Sequence, residues 1–196
     1  MDDELIDLHS NNKKLMPFLH LPVQSGSSKI LKMMNRKYDV EFYRDIIFKI
    51  RDKSPNIEIS SDFIIGYPGE SEQDFINTLD LIDDIKFTQS YSFIYSARPG
   101  TKSAMIEDNL TKKVKSERLK ILQSKLTEIQ HDFNKTHVGK KTSVLIENQS
   151  ATNPEYYFGR TPYMQSVYIK SNNLINGEEK DIKITSCNHK SLYGTC

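Results

Sequence analysis

Three strings in this chain set a polar turn bearing glycine or proline directly after an apolar strand: His20-Leu-Pro-Val-Gln-Ser-Gly-Ser27, Asp62-Phe-Ile-Ile-Gly-Tyr-Pro-Gly-Glu70 and Tyr91-Ser-Phe-Ile-Tyr-Ser-Ala-Arg-Pro-Gly100. The first two run into amphipathic helices, and the third reaches one after a short loop. In α/β architectures made of such units, the turns at the carboxyl ends of the strands form the ligand site. The chemistry is therefore expected at Gln24, Asp62, Ile64 and their neighbours. Gly66 and Gly69 would let backbone approach a ligand closely, although a Gly-x-x-Gly pair alone is more often simply a turn.

A second constellation lies toward the C-terminus. Lys140, Lys141, Arg160, Lys170 and Lys183 are interleaved with Tyr156, Tyr157, Phe158, Tyr163 and Tyr168, and phosphate contact combined with base stacking asks for such a mixture. The competing account is that these rings fill the core of a small barrel, and strand alternation lets some point inward and others outward. Charge is distributed to match. Residues 1–110 carry 13 Lys/Arg against 18 Asp/Glu, a net −5, and residues 111–196 carry 14 against 8, a net +6. The C-terminal part is thus the candidate polyanion surface. Lys112, Lys113, Lys115, Arg118, Lys120 and Lys125 also read as the solvated face of a helix.

The elements that would position these residues follow from periodicity and caps. A short helix near Asp3–Leu8 and a polar break precede a buried strand over Phe18–Val23, whose turn supplies an N-cap for a helix over Lys29–Asn35. A helix over Val40–Lys53 presents Tyr43, Ile46, Ile47 and Ile50 on one face and stops at Ser54-Pro55-Asn56. Ile57–Ile65 is the second strand. Ser71 caps a helix to about Asp84, with Asp74 three residues on and Phe75, Leu79 and Ile82 facing the core. Gln89–Tyr95 is the third strand. A long helix from Thr111 to Lys135 carries one apolar stripe through Leu119, Leu122, Leu126, Ile129 and Phe133. Near His137 the period changes to two, and Thr142–Glu147, Tyr156–Arg160, Ser166–Lys170 and Asp181–Thr185 read as strands of a small β-barrel.

Composition bounds the class. With 196 residues, 37% apolar and 27% charged, the chain holds one medium domain, or one with a small appendage. No apolar run approaches the roughly 18 residues of a membrane span, and Met-Asp-Asp-Glu is unlike a secretory signal. The chain is read as soluble, cytoplasmic and without a membrane partner. Cys187 and Cys196 are its two cysteines, too few for a disulfide framework or a cluster motif. Three strand-helix units leave an unpaired apolar edge at Phe18–Val23, which is explained if they are the latter half of a barrel. That edge predicts self-association, or binding of the other half as a separate chain.

The run Leu15–Ser27, Met34-Asn-Arg36, Ser61–Glu70, Ser92–Thr101 and Gly159-Arg-Thr-Pro-Tyr163 together resemble, collinearly and over nearly the whole chain, the MiaB-type radical SAM methylthiotransferases. The resemblance implies the latter half of a radical SAM partial TIM barrel with a long terminal helix over residues 1–136, followed by an all-β, RNA-binding TRAM barrel over residues 137–196. It implies conversion of N6-dimethylallyladenosine beside the tRNA anticodon to its 2-methylthio derivative, using S-adenosylmethionine and two 4Fe-4S clusters. The cluster-binding cysteines of the family have no counterpart here, and two C-terminal thiols do not replace them. The isolated chain is accordingly expected to hold no iron and to be inactive alone, with no catalytic and no metal-ligating residue of its own.

Residue by residue, Gln24, Arg36 and Asp62 match the family's cofactor-holding Gln, Arg and Asp. An Asp can accept both ribose hydroxyl protons, while Gln and Arg suit the methionine carboxylate or the ribose edge. Ile64, Phe93 and Tyr95, with the backbone at Gly66, would surround adenine, and Arg98 would face cofactor or substrate. Lys140, Lys141, Tyr157, Arg160, Tyr163 and Lys170 would meet tRNA. His20 is read as a core histidine, Met33 and Met34 as core filler, and Glu70 as a carboxylate placed by the helix dipole. Two other readings remain: an RNA-binding module without catalysis, and a sister methylthiotransferase acting on another nucleotide or on a ribosomal protein. The strings at His20 and Gly159 favour the dimethylallyladenosine branch over the ribosomal one, where the first strand reads Asp-x-Pro-x-Gln-His.

Overall fold

Short polar side chains mark where each turn becomes a helix. In the computed structural model, which describes residues 1–151 and 153–196, Asp2 caps helix α1 (Asp3–Asn11) by accepting from Leu5 N. Ser27 caps α2 (Ser28–Met33), and Asp39 caps α3 (Val40–Lys53). Ser71 and Asp74 form a reciprocal capping box at the start of α4 (Glu72–Ile85). Helix α2 ends earlier than its spacing predicts, because Asn35 turns left-handed at φ 58°. Residues 1–15 and 19–126 form one compact unit, and residues 16–18 with 127–196 form a second.

The first unit carries a three-stranded sheet in the order β1 (Phe18–His20), β2 (Glu58–Ile65), β3 (Gln89–Ile94), with β2 and β3 parallel. The strand expected through Val23 stops at His20. Pro22 brings no N–H to a ladder, and the chain continues beside β2 by single bonds, Leu21 N to Ser60 O and Gln24 N to Asp62 O, both 2.9 Å. Alternation divides the sheet. Ile59, Phe63 and Ile65 are buried with Leu31, Ile50, Leu81, Ile82 and Phe87, whereas Asp62 and Ile64 share the other face with exposed Tyr91 and Phe93, their register partners.

Asp74 joins three elements. It accepts from Ser27 Oγ at 2.6 Å, Lys29 Nζ at 2.8 Å and Ser71 N at 2.8 Å. Burial alone would push its carboxyl up, but the hydrogen bonds from Lys29, Ser27 and Ser71 prevail and hold it well below the ordinary carboxylate range. A depressed carboxylate contributes stability that is present above its unfolded pKa and lost as pH falls through the folded one.

Gly26 lies in the same junction, where an added Cβ would stand 2.5 Å from Asn77 O and from Thr78 Cα. Backbone cannot yield as a flexible side chain can. Gly26→Ala is therefore expected to destabilise the chain by roughly 1–3 kcal/mol, the usual cost of overpacking. A urea midpoint unchanged from wild type would show that the junction is looser than this.

Helix α5 (Lys112–Lys135) buries Leu122 and Leu126 from the expected stripe, with Leu119, Ile129 and Phe133 half-buried. Its basic residues are not simply solvated. Lys115 and Arg118 are buried: Lys115 pairs with Asp108, and Arg118 donates to Glu70 Oε2 at 2.8 Å and Glu72 Oε2 at 2.7 Å. Lys125 pairs with Asp83 at 2.6 Å. Much of the positive charge at the start of α5 is thus neutralised by acids of the first unit. The division between the two units falls inside this helix after Leu126, whereas the change of period read from the sequence lies at its end.

The second unit closes β4 (Lys141–Gln149), β5 (Tyr156–Arg160), β6 (Ser166–Lys170), β7 (Glu179–Cys187) and β8 (Ser191–Thr195) into a barrel of order β4-β5-β6-β8-β7. Strand β8 has no counterpart in the periodicity reading. It completes the barrel by pairing parallel with β6 and antiparallel with β7. The core comprises Val144, Ile146, Tyr157, Val167, Ile169, Leu174, Ile182, Ile184 and Leu192.

Candidate functional site

Gln24 adopts φ 75°, and its backbone brackets β2 at the expected level: its N–H donates to Asp62 O and its carbonyl accepts from Ile64 N, both at 2.9 Å. Two phenols fix the segment before it. Tyr38 donates to Pro22 O at 3.1 Å and Tyr43 to Leu21 O at 2.6 Å. Gln24 is buried, while the Asp62 side chain is 29% exposed on the open sheet face.

His20 is not a core histidine. Its side chain is 43% exposed on that same face, with Nε2 3.6 Å from Asp62 Oδ2, Nδ1 2.7 Å from Ser60 Oγ, and its ring edge-on to Tyr91. A polar cluster of Ser60, His20 and Asp62 therefore stands where the sequence reading placed Asp62 by itself. The alternation of β1 is too short to show which way His20 points.

Beyond Asp62 toward the carboxyl ends of the strands lies a two-lobed cavity, the lobes about 560 Å³ and about 640 Å³. Both lobes are walled by Arg36, Ile64, Tyr95, Thr101 and Ser103. Phe93 and Arg98 complete one lobe; Lys32, Met33, Tyr67 and Lys102 join the other. Of the eight residues expected to surround a nucleoside cofactor, five line this cavity: Arg36, Ile64, Phe93, Tyr95 and Arg98. Gln24 and Asp62 lie outside its wall. Asp62 precedes Ile64 by two residues, on the same strand face. Met33 and Met34 line the cavity as well, rather than filling the core.

Gly66, at φ 71°, also lies outside the wall. Its N–H donates to Glu70 Oε2 at 3.0 Å, and the Lys115 stem packs against it. Glu70 is therefore more than a helix-dipole carboxylate: it is buried and tied to both Gly66 and Arg118. Burial pushes its carboxyl above the ordinary range, and the bonds from Arg118 and Gly66 offset only part of that.

In the barrel the expected RNA-facing residues separate. The Tyr157 ring is 9% exposed and belongs to the core. That corrects its assignment as a stacking ring, since β5 turns Phe158 and Tyr156 to the other face. Phe158 packs edge-on to Tyr168 at 5.5 Å, and Tyr168 stacks on Tyr193 at 5.7 Å and 22°. These half-buried rings form a row across β5, β6 and β8, with the Arg160 guanidinium 5.4 Å from the Phe158 centroid. Tyr193 was not legible because β8 was not.

Tyr163 sits instead among the rings of Phe133 and His137. Its loop is anchored by a buried network in which Thr161 Oγ1 donates to Gln165 Oε1, Gln165 Nε2 donates to Asn134 Oδ1, and Asn134 Nδ2 donates to Asn188 O. The Gly159–Tyr163 string is thus in part a structural tie to the end of α5. Lys140 and Lys141 are exposed, and Lys141 faces Lys183 directly across the β4–β7 ladder. Like charges held opposite each other are unfavourable without an anion between them. Lys170 and Arg160 pair with Glu155 and Glu147, exposed pairs worth about 0–1 kcal/mol and readily exchanged.

Among the described residues no group of three His, Cys, Asp or Glu could hold a metal ion, and no helix is long and apolar enough to cross a membrane. The family model for the radical SAM superfamily matches residues 1–82, and that for the TRAM domain matches residues 135–196. The chain is 51% identical over 99% of its length to the tRNA-2-methylthio-N(6)-dimethylallyladenosine synthase of Rickettsia felis. It is 50% identical over the same share to the proteins of that name from Rickettsia conorii and Rickettsia prowazekii. In each case it spans 44% of the relative's length. The chain is therefore similar to the radical SAM superfamily over residues 1–82 and to the TRAM domain over residues 135–196, and along its whole length to under half of the tRNA-2-methylthio-N(6)-dimethylallyladenosine synthases.

Proposed function

We propose that this chain is the portion of a tRNA-2-methylthio-N6-dimethylallyladenosine synthase that supplies the nucleoside-binding side of the radical SAM site and the TRAM grip on tRNA. The observation that carries the reading is the convergence of Arg36, Ile64, Phe93, Tyr95 and Arg98 on one cavity at the carboxyl ends of the strands, in a chain half identical to proteins of that name.

The residues fit S-adenosylmethionine chemically. Asp62 would accept from the ribose hydroxyls, with His20, 3.6 Å away, beside it to orient the carboxylate. Gln24 offers a carboxamide at the same level, and Arg36 offers a fork of donors to the methionine carboxylate. Ile64, Phe93 and Tyr95 supply apolar and ring contact for adenine. Bound in such a site, and given one electron by a 4Fe-4S cluster held elsewhere, S-adenosylmethionine would supply one-electron chemistry at unactivated carbon. The two 4Fe-4S clusters of the family do not fit this chain's own side chains: Cys187 and Cys196 are its only thiols, and clusters take more thiolates than that. The remaining ligands, and the strands that would cover exposed Tyr91 and Phe93, are assigned to the rest of such an enzyme, which acts in the cytoplasm where its tRNA is.

The barrel presents the row Phe158, Tyr168 and Tyr193 to bases, and Lys140, Lys141, Lys170 and Arg160 to phosphates. Binding of S-adenosylmethionine to the full chain, followed by chemical-shift changes, tests the cofactor half of the reading. Asp62→Asn is expected to weaken it about tenfold or more, the scale of a lost charge-assisted hydrogen bond, and to leave binding of an anticodon stem-loop RNA unchanged. Equal cofactor affinity for wild type and variant would remove Asp62 from the site.

A further inference from the structure

The cavity in the first unit has more positive charge than its cofactor reading requires. Lys32, Arg36, Arg98 and Lys102 all line it, and no Asp or Glu does. This is unusual for its surroundings, because the residues up to position 110 carry net −5 and most neighbouring cations are taken. Lys29 pairs with Asp74, Arg44 with Asp84, Lys49 with Asp3, Lys53 with Asp7, Lys115 with Asp108 and Arg118 with Glu70. Among the described residues, none of the four cavity cations has a carboxylate partner within ion-pair distance. A single-sign cavity with low-dielectric walls focuses its potential and selects an opposite charge.

The wall also holds an unpartnered donor. The Tyr95 hydroxyl is buried without a hydrogen-bond partner. Its neighbour Tyr67, edge-on at 5.0 Å, has already committed its own hydroxyl to Met33 O at 2.9 Å. A buried hydroxyl left unpaired is costly, and an anion oxygen would satisfy it. Thr101 and Ser103 bring two more hydroxyls to the wall, that of Thr101 already donating to Arg98 O at 2.7 Å and lying 3.1 Å from Ser103 Oγ.

S-adenosylmethionine does not account for this. It carries one carboxylate against an ammonium and a sulfonium, so it is itself a net cation, and Arg36 alone matches its carboxylate. Three further cations would repel it. A phosphodiester, by contrast, is an anion with no compensating charge, and its oxygens accept from Lys, Arg and hydroxyl donors alike. We propose that Lys32 and Lys102, with the Tyr95 hydroxyl of the same lobe, form a phosphate-binding subsite of the first unit, which holds the RNA backbone beside the nucleotide being modified. This rests on the RNA reading of the preceding section. It adds that the RNA is gripped by the first unit as well as by the barrel.

The test measures binding of a fluorescent anticodon stem-loop RNA to the full chain across a salt series, for wild type and for Lys32→Ala/Lys102→Ala, Lys140→Ala/Lys141→Ala and the control Lys13→Ala/Lys14→Ala. Each lost phosphate contact lowers the slope of log affinity against log salt by roughly 0.7–0.9. The cavity variant is expected to lose roughly 1–2 in slope, the barrel variant a similar amount, and the control none. Should only the barrel variant lose slope, the subsite is wrong and the RNA reading stands; should no variant lose slope, the RNA reading itself falls. A loss equal to that of the control would reduce the cavity to general surface charge. Weaker S-adenosylmethionine binding by Lys32→Ala/Lys102→Ala with an unchanged RNA slope would hand the cations to the cofactor and overturn the proposal.

Discussion

Arg118→Met is expected to lower stability by roughly 3–5 kcal/mol, the scale for breaking a buried ion pair from one side. The side chains of Arg118 and Glu70 are 7% and 1% exposed, so the variant leaves a carboxylate out of water with the Gly66 N–H as its remaining donor. Acid should then rescue the variant. Glu70 already has its carboxyl raised by burial, with Arg118 pulling it back. Without Arg118 it rises further. A carboxyl raised in the folded state holds its proton to higher pH than the unfolded chain does, so stability falls as pH climbs from the ordinary carboxylate value to the raised one. The deficit of Arg118→Met relative to wild type should therefore be largest at neutral pH and shrink as pH falls toward the ordinary carboxylate range. Adding Glu70→Gln removes the buried charge and should recover part of the loss at neutral pH. Urea unfolding at several pH values decides the matter: a deficit under about 1 kcal/mol, or one that does not change with pH, would mean water reaches Glu70 once Arg118 is gone.

The same ion pair shows where sequence reasoning runs out. Arg118 on a helix with a basic face reads the same whether its partner is water or a carboxylate 48 residues away, because helical periodicity reports which residues share a face and nothing about what meets that face. Local signals fared better. The turn through Ser27 was legible as supplying a cap, Ser71 as a cap by name, and Asp74 as the residue three positions on, since capping depends on residues three apart. Tyr43, Ile46, Ile47 and Ile50 were legible as one buried face for the same reason. The cavity at the carboxyl ends of the strands was half legible. Alternation put Ile64, Phe93 and Tyr95 on one side of the sheet, but Lys32 reaches it from α2 and Lys102 and Ser103 from a single 3-10 turn over Lys102–Met105, elements too short for a periodicity that shows which way a side chain points. His20 was misplaced because a strand of three residues, cut short before Pro22, offers too little alternation to tell faces apart. In the barrel, β8 escaped notice because Ser191-Leu-Tyr-Gly-Thr195 lies at the end of the chain with a glycine inside it, and a glycine in a strand weakens the signal. Here the glycine is required by close packing: an added Cβ at Gly194 would stand 2.7 Å from Lys183 O.

Tyr157 and Tyr168 make the sharpest separation between holding the barrel and the proposed contact with RNA. Tyr157 is in the core with Val144, Ile146 and Val167, so Tyr157→Ala removes a buried ring and is expected to cost roughly 3–5 kcal/mol of stability. Tyr168 stands at the centre of the Phe158–Tyr168–Tyr193 row. Tyr168→Ala should weaken binding of an anticodon stem-loop by roughly 1–3 kcal/mol, the measured scale for loss of a stacked base, with little change in the unfolding midpoint. Because stacking releases no counterions, the salt slope of Tyr168→Ala should match that of wild type, whereas Lys140→Ala/Lys141→Ala should lower it. The two kinds of contact are thereby read out on different axes, intercept for rings and slope for cations. Measured under conditions where the barrel remains folded, Tyr157→Ala should leave the RNA affinity near that of wild type. Full RNA affinity in Tyr168→Ala would mean that the row packs only against itself, and the barrel's hold on RNA would then lie in its lysines alone.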